Sequence, residues 1–157
     1  MKRIVYIAVV TTSLFLVNCS AGTPGKEKKN TLDLVAQPGK VIHLTTTDFK
    51  EKVFDYGKNK TWKYEGTIPC IIDFYADWCG PCRIMSPRLE EVAAEFAGKL
   101  IVYKVDTDKE QELTNSMGIQ SLPTLLFCTH DGMPHSSLGV ISKEMLVKAI
   151  REQLMIK

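Results

Sequence analysis

From Val41 to the C-terminus, short apolar runs alternate with apolar stripes at helical spacing. Val41–Leu44 reads as a short edge strand. Thr45–Asp48 offers helix N-caps ahead of Phe49, Val53 and Phe54, which share one face. The polar stretch from Asp55 to Gly66 reads as a loop or helix extension, with Trp62 and Tyr64 folded back as core cover. Cys70–Ala76 is almost continuously apolar, the pattern of a central strand buried on both faces, and Asp73 is its one charged member. Met85, Leu89, Val92, Ala93 and Phe96 then recur at helical spacing up to Gly98. Leu100–Val105 is a second apolar strand. Asp106–Asp108 is expected to cap a short helix through Leu113 and Met117, closed by Gly118. Thr124–Cys128 and Ser136–Leu138 are strands around the turn signal His130-Asp131-Gly132. Ser142 caps a last helix carrying Met145, Leu146, Ala149, Ile150 and Leu154. The order β-α-β-α-β-α-β-β-α predicts an α/β domain. Its mixed central sheet has a parallel core and one antiparallel hairpin, with helices on both faces.

Upstream of this domain the pattern changes. Met1-Lys2-Arg3 precedes an apolar run, Ile4–Val17, that is shorter than the ~20 residues a membrane-spanning helix needs. A basic start and a short apolar run read as a secretory signal over residues 1–21. Cys19-Ser20-Ala21 supplies small residues for cleavage there. Leu16-Val17-Asn18-Cys19 equally resembles a bacterial lipoprotein signal, in which Cys19 becomes the lipid anchor. Asn18 stands where that pattern prefers Gly, Ala or Ser. Both readings put the mature protein outside the cytoplasm, in the periplasm or tethered to a membrane. Residues 22–40 are polar and rich in Lys, Gly and Pro, and read as a flexible linker. Residues 41–157 form the single domain.

The net charge of +2 has no basic cluster behind it, so nothing points to nucleic acid. Five cysteines, an odd number with one close pair, argue against a secreted disulfide scaffold and for function in that pair.

Cys79-Gly80-Pro81-Cys82 lies where the buried strand gives way to a helix. Two intervening residues bring both sulfurs within bonding reach in one helical turn. Gly80 permits a tight backbone, and Pro81 lacks an N–H where a helix start would waste one. The helix N-terminus, with its free N–H groups and partial positive charge, favours a thiolate on Cys79. The thiolate is the nucleophile in exchange. Cys82, one turn inward, is expected to be the shielded resolving thiol. The competing use of a C-x-x-C pair is half of a zinc site. Zinc needs four ligands, and neither Cys70, Cys128, His43, His130 nor His135 forms a second pair. Neither metal nor cofactor is expected.

The run Asp73-Phe74-Tyr75-Ala76-Asp77-Trp78-Cys79-Gly80-Pro81-Cys82-Arg83 resembles the active-site signature of the thioredoxin family. Pro87 matches that family's helix-kinking proline. Ser121-Leu122-Pro123-Thr124 resembles its second landmark, whose proline is cis and faces the active site, and Gly139 resembles its groove glycine. The likeness covers roughly Val41 to Leu154, and it implies the thioredoxin fold and reduction of protein disulfides. Cys79 would attack the substrate disulfide and Cys82 would release the product. Asp73 falls on the family's buried carboxylate, a base for Cys82 acting through water. Lys104 falls on that carboxylate's partner lysine. Trp78, Gly80, Pro81, Leu122, Pro123, Gly139 and Val140 would form the apolar patch that receives an extended substrate backbone.

The sequence departs from the family in places. Tyr75 stands where tryptophan is usual, the Asp55–Gly66 segment is long, and Cys70 and Cys128 are additions at the ends of buried strands, read as small core residues with an auxiliary or regulatory disulfide as the alternative. Gly80-Pro81 resembles the reducing members. The expected partners are therefore disulfide-containing proteins and an upstream membrane or soluble reductant. The rival readings are a disulfide oxidase or isomerase, a thiol-based metallochaperone, and a structural lipoprotein.

Overall fold

The computed structural model describes residues 38–157. The signal peptide read over 1–21, with Cys19, and residues 22–37 of the linker lie outside the described residues. Pro38–Lys40 form a turn against the C-terminal half of the long helix. Gly39 has φ +85°, and a Cβ there would come within 3.3 Å of the Ala94 Cα.

Nine elements follow in the expected order. They are β1 (Val41–His43), α1 (Thr46–Lys52), β2 (Cys70–Tyr75), α2 (Gly80–Glu95), β3 (Ile101–Asp106), α3 (Gln111–Ser116), β4 (Thr124–Cys128), β5 (His135–Leu138) and α4 (Lys143–Gln153). The sheet order is β1-β3-β2-β4-β5, with β1 and β2 parallel to β3, and β4 antiparallel to both β2 and β5. This is the thioredoxin fold. The apolar run of β2 makes it the central strand, and all six of its residues are buried.

Alternation along the strands builds two cores. Ile71, Val102, Leu125 and Phe127 face α2 and α4 and pack on Met85, Leu89, Leu146 and Ile150. Ile72, Phe74, Tyr103 and Leu126 face the other way, onto Phe49 of α1 and Leu113 of α3. Asp73 and Lys104, in register across β2 and β3, therefore belong to the face that α2 covers. Cys70 and Cys128 belong to the opposite face.

Two expectations are corrected. Asp106–Asp108 does not cap α3. Asp106 instead closes a turn, its carboxylate accepting the Asp108 N–H at 3.1 Å and pairing with Lys109. The helix starts at Gln111 with no side-chain cap, because the carboxylate of Glu110 is engaged elsewhere. It accepts the N–H (2.7 Å) and hydroxyl (2.6 Å) of Thr46 at the start of α1. Met145, read as core, is exposed, because the buried stripe of α4 is Leu146 and Ile150. Of the two forms expected for Asp55–Gly66 the loop is the one adopted, and Trp62 and Tyr64 fold back as read, Trp62 packed on Phe54 at 4.7 Å between ring centroids and Tyr64 buried.

Candidate active site

The chain leaves β2 at Tyr75 and turns at once into α2, with the Cys79 N–H donating to the Ala76 carbonyl at 3.1 Å. Cys79 is the N-cap. Its Sγ accepts the Cys82 N–H at 3.2 Å, so the sulfur occupies the place where a helix start favours negative charge. Pro81 falls within the first turn, where no N–H is needed. Cys79 and Cys82 are joined by a disulfide, with Cα atoms 5.3 Å apart. Gly80 is not required by backbone geometry. Its φ lies outside the left-handed region, and a Cβ would meet only the tip of Arg83, 3.8 Å away. What glycine contributes is a bare surface beside the sulfur. A cavity of about 410 Å³ opens there between Trp78, Cys79, Gly80 and Pro81 on one side and Ile119–Leu122 on the other. Cys82 is buried beneath it and does not line it.

On the sheet face that α2 covers, Asp73 and Lys104 stand in register across β2 and β3 but not in contact. Asp73 is fully buried, and neither of its carboxylate oxygens has a hydrogen-bond partner. Burial pushes its pKa up to about 6, against the opposing pull of the Lys104 charge. Lys104 makes no ion pair with it. Its Nζ donates to Ser86 Oγ at 2.7 Å and sits over the Tyr75 ring, 4.2 Å from the centroid. The tyrosine that replaces the family's tryptophan thus seats the lysine. Ser86 follows Cys82 by one turn of α2, which brings both to the same helix face. Sequence reasoning missed Ser86, although a polar residue four positions after the buried cysteine was a usable signal.

The patch inferred from resemblance is only partly contiguous with the cavity. Trp78 is 70% exposed, and its indole N–H donates to Asp108 Oδ2 at 3.0 Å. Leu122 packs against the two cysteines and Tyr75. The Leu122–Pro123 bond is cis, and Pro123 is itself buried. Gly139 and Val140 stand outside the cavity. The Gly139 N–H reaches the Pro123 carbonyl at 2.8 Å, at φ +75°, where a side chain would be strained, and Val140 is exposed. Asp108, Ile119 and Gln120 are further contributors that no local motif marks.

The sequence model described as Thioredoxin matches residues 40–152. The chain belongs to the thioredoxin family. It is 46% identical over 111 residues to a thioredoxin of Borreliella burgdorferi, covering 71% of this chain and 95% of the relative. It is 32% identical to a thioredoxin of Haemophilus influenzae, covering 73% and 97%. Among solved structures it resembles thioredoxin f from spinach chloroplast, with TM-score 0.62, 27% identity, and 77% and 92% coverage. It also resembles chloroplastic thioredoxin z, with TM-score 0.61, 27% identity, and 74% and 95% coverage. Like its thioredoxin relatives, the protein is a thioredoxin-type protein-disulfide reductase, and Cys79–Cys82 is its active-site pair.

Proposed function

We propose that this thioredoxin works outside the cytoplasm, reducing disulfides of exported proteins on electrons delivered by a membrane or soluble reductant. The observation that carries the reductase chemistry is the Cys79 sulfur at the N-cap of α2, hydrogen-bonded to the Cys82 N–H and bordering an open cavity. The location rests on the basic start and apolar run of residues 1–17. In the reduced enzyme the Cys79 thiolate attacks one sulfur of the substrate disulfide. The other substrate sulfur leaves as a thiol, and a mixed disulfide forms. Asp73, ionised above about pH 6, takes the Cys82 proton through an intervening water. The Cys82 thiolate then attacks Cys79 and releases the second substrate thiol. Trp78, Gly80, Pro81, Leu122 and Pro123 receive the substrate backbone, and Gly139 and Val140 extend the patch along the β5 side.

Two measurements test this reading. Expression of the full chain in a bacterium, followed by fractionation, should recover the protein outside the cytoplasm, and cytosolic recovery would refute the location. The Cys79–Cys82 couple, equilibrated against glutathione, should lie near thioredoxin's potential of about −270 mV. A value near the oxidising extreme of about −120 mV would make the protein an oxidase.

A further inference from the structure

Cys70 opens β2, Cys128 closes β4, and the exchange reaction uses neither. They are Cα partners directly opposite one another in the antiparallel ladder. Opposed residues of such a ladder stand about 4.5–5.5 Å apart at Cα, inside the ~4.4–6.8 Å that a disulfide spans. Opposition also puts both side chains on one face of the sheet, in the core under α1 and α3. Both thiols are free and fully buried. The neighbouring Cys70 side chain, together with burial, holds the Cys128 thiol well above the ordinary thiol range. Tyr64 covers this end of the sheet, its hydroxyl donating to the Ile68 carbonyl and its ring meeting His130 edge-on at 5.2 Å. A protonated, covered thiol is a poor nucleophile. Oxidation of such a pair is therefore favoured while the chain is folding, before Tyr64 covers it.

We propose that Cys70 and Cys128 form a second dithiol–disulfide couple, closed by a low-molecular-weight disulfide into a staple between β2 and β4. One thiolate attacks the small disulfide, giving a mixed disulfide and one small thiol. The second thiolate attacks that mixed disulfide, forming the Cys70–Cys128 bond and releasing the second small thiol. The two cysteines lose two electrons and two protons, and the small disulfide gains them. The site lies at the far end of β2 from the active site. Cys70 and Tyr75 are separated by ~17 Å of strand, so the staple does not exchange directly with Cys79. Its effect is on the chain's stability, through the restricted unfolded state.

The test is oxidative refolding of the full chain to equilibrium in glutathione buffer with the oxidised form in excess. Acid quenching, alkylation of remaining thiols and peptide mapping follow. The expected map contains a Cys70–Cys128 cross-linked peptide besides Cys79–Cys82. Alkylated or separately glutathionylated Cys70 and Cys128 would overturn the proposal, as would either one paired with another cysteine. A second readout compares melting temperatures of oxidised and reduced protein. The gap should be wider in the wild type than in Cys128→Ala by at least about 5 °C. Equal gaps would refute the staple. Should Cys128→Ala fail to fold, the wild-type peptide map alone decides.

Discussion

The two ends of β2 each carry a pair of cysteines, and the pairs differ in almost everything except the atoms. Beyond the C-terminal end, Cys79 caps a helix, accepts an N–H, and borders a cavity. At the N-terminal end, Cys70 meets Cys128 across a ladder, buried beneath Tyr64 with no helix start to favour charge. The first environment lowers the cost of a thiolate and sets it, though largely buried, against an open cavity, and the second raises that cost and closes it off. Reactivity is thus set by where the backbone places the sulfur. One strand separates a catalyst from a buried thiol pair.

That contrast breaks most visibly under substitution. Cys79→Ser should abolish insulin reduction, a loss of at least about a thousandfold, because no other thiol in the domain combines access with a stabilised anion. Cys70→Ala should leave the same assay within about twofold, since the pair is remote from the cavity. A large loss there would mean that the two ends are coupled.

Asp73→Asn comes next. Losing the base should slow reduction at pH 7 by at least about tenfold while leaving alkylation of Cys79 intact. Its stability effect has the opposite sign. The folded-state pKa of about 6 is raised above the ordinary ~3.9, so the protonated carboxyl suits the fold. Its contribution is fully present below about pH 4 and is lost as pH rises through 6. At pH 8 Asp73→Asn should therefore be more stable than wild type by about 3 kcal/mol in urea unfolding, with the difference vanishing below pH 4. A variant less stable at pH 8 would mean that the buried carboxylate is compensated by partners absent from this structure.

A smaller effect is expected from Ser86→Ala. Without the hydroxyl, Lys104 loses its 2.7 Å acceptor and is freer to turn toward Asp73. The Asp73 titration, followed by carboxyl NMR, should then move below 6 and carry the acid limb of the rate profile with it. Ser86→Thr should restore both. An unmoved titration would show that the Tyr75 ring alone holds the lysine.

The fold was legible because its signals are local. The unbroken apolar run of β2 marked a central strand, the 85-89-92-96 stripe marked α2, and the caps at Thr45 and Ser142 both accept the backbone N–H expected of them. The redox pair was legible for the same reason, being four consecutive residues at a strand-to-helix junction. What escaped depends on registers and rotamers that no short window contains. Glu110 left its own helix uncapped to serve Thr46, and Lys104 chose Ser86 and Tyr75 over the aspartate beside it in register. Cys70 and Cys128 read as core residues or an auxiliary disulfide, and only the β2–β4 pairing set them opposite one another.

The most direct measurement is the pH dependence of alkylation of each cysteine in the reduced, folded protein, resolved by peptide mass spectrometry. Cys79 should react with a midpoint well below the ~8.5 of a free thiol, while Cys70 and Cys128 stay unlabelled across the same range. A Cys79 midpoint at or above ~8.5, or labelling of Cys128 at a comparable rate, would contradict the claim that placement alone separates the two pairs.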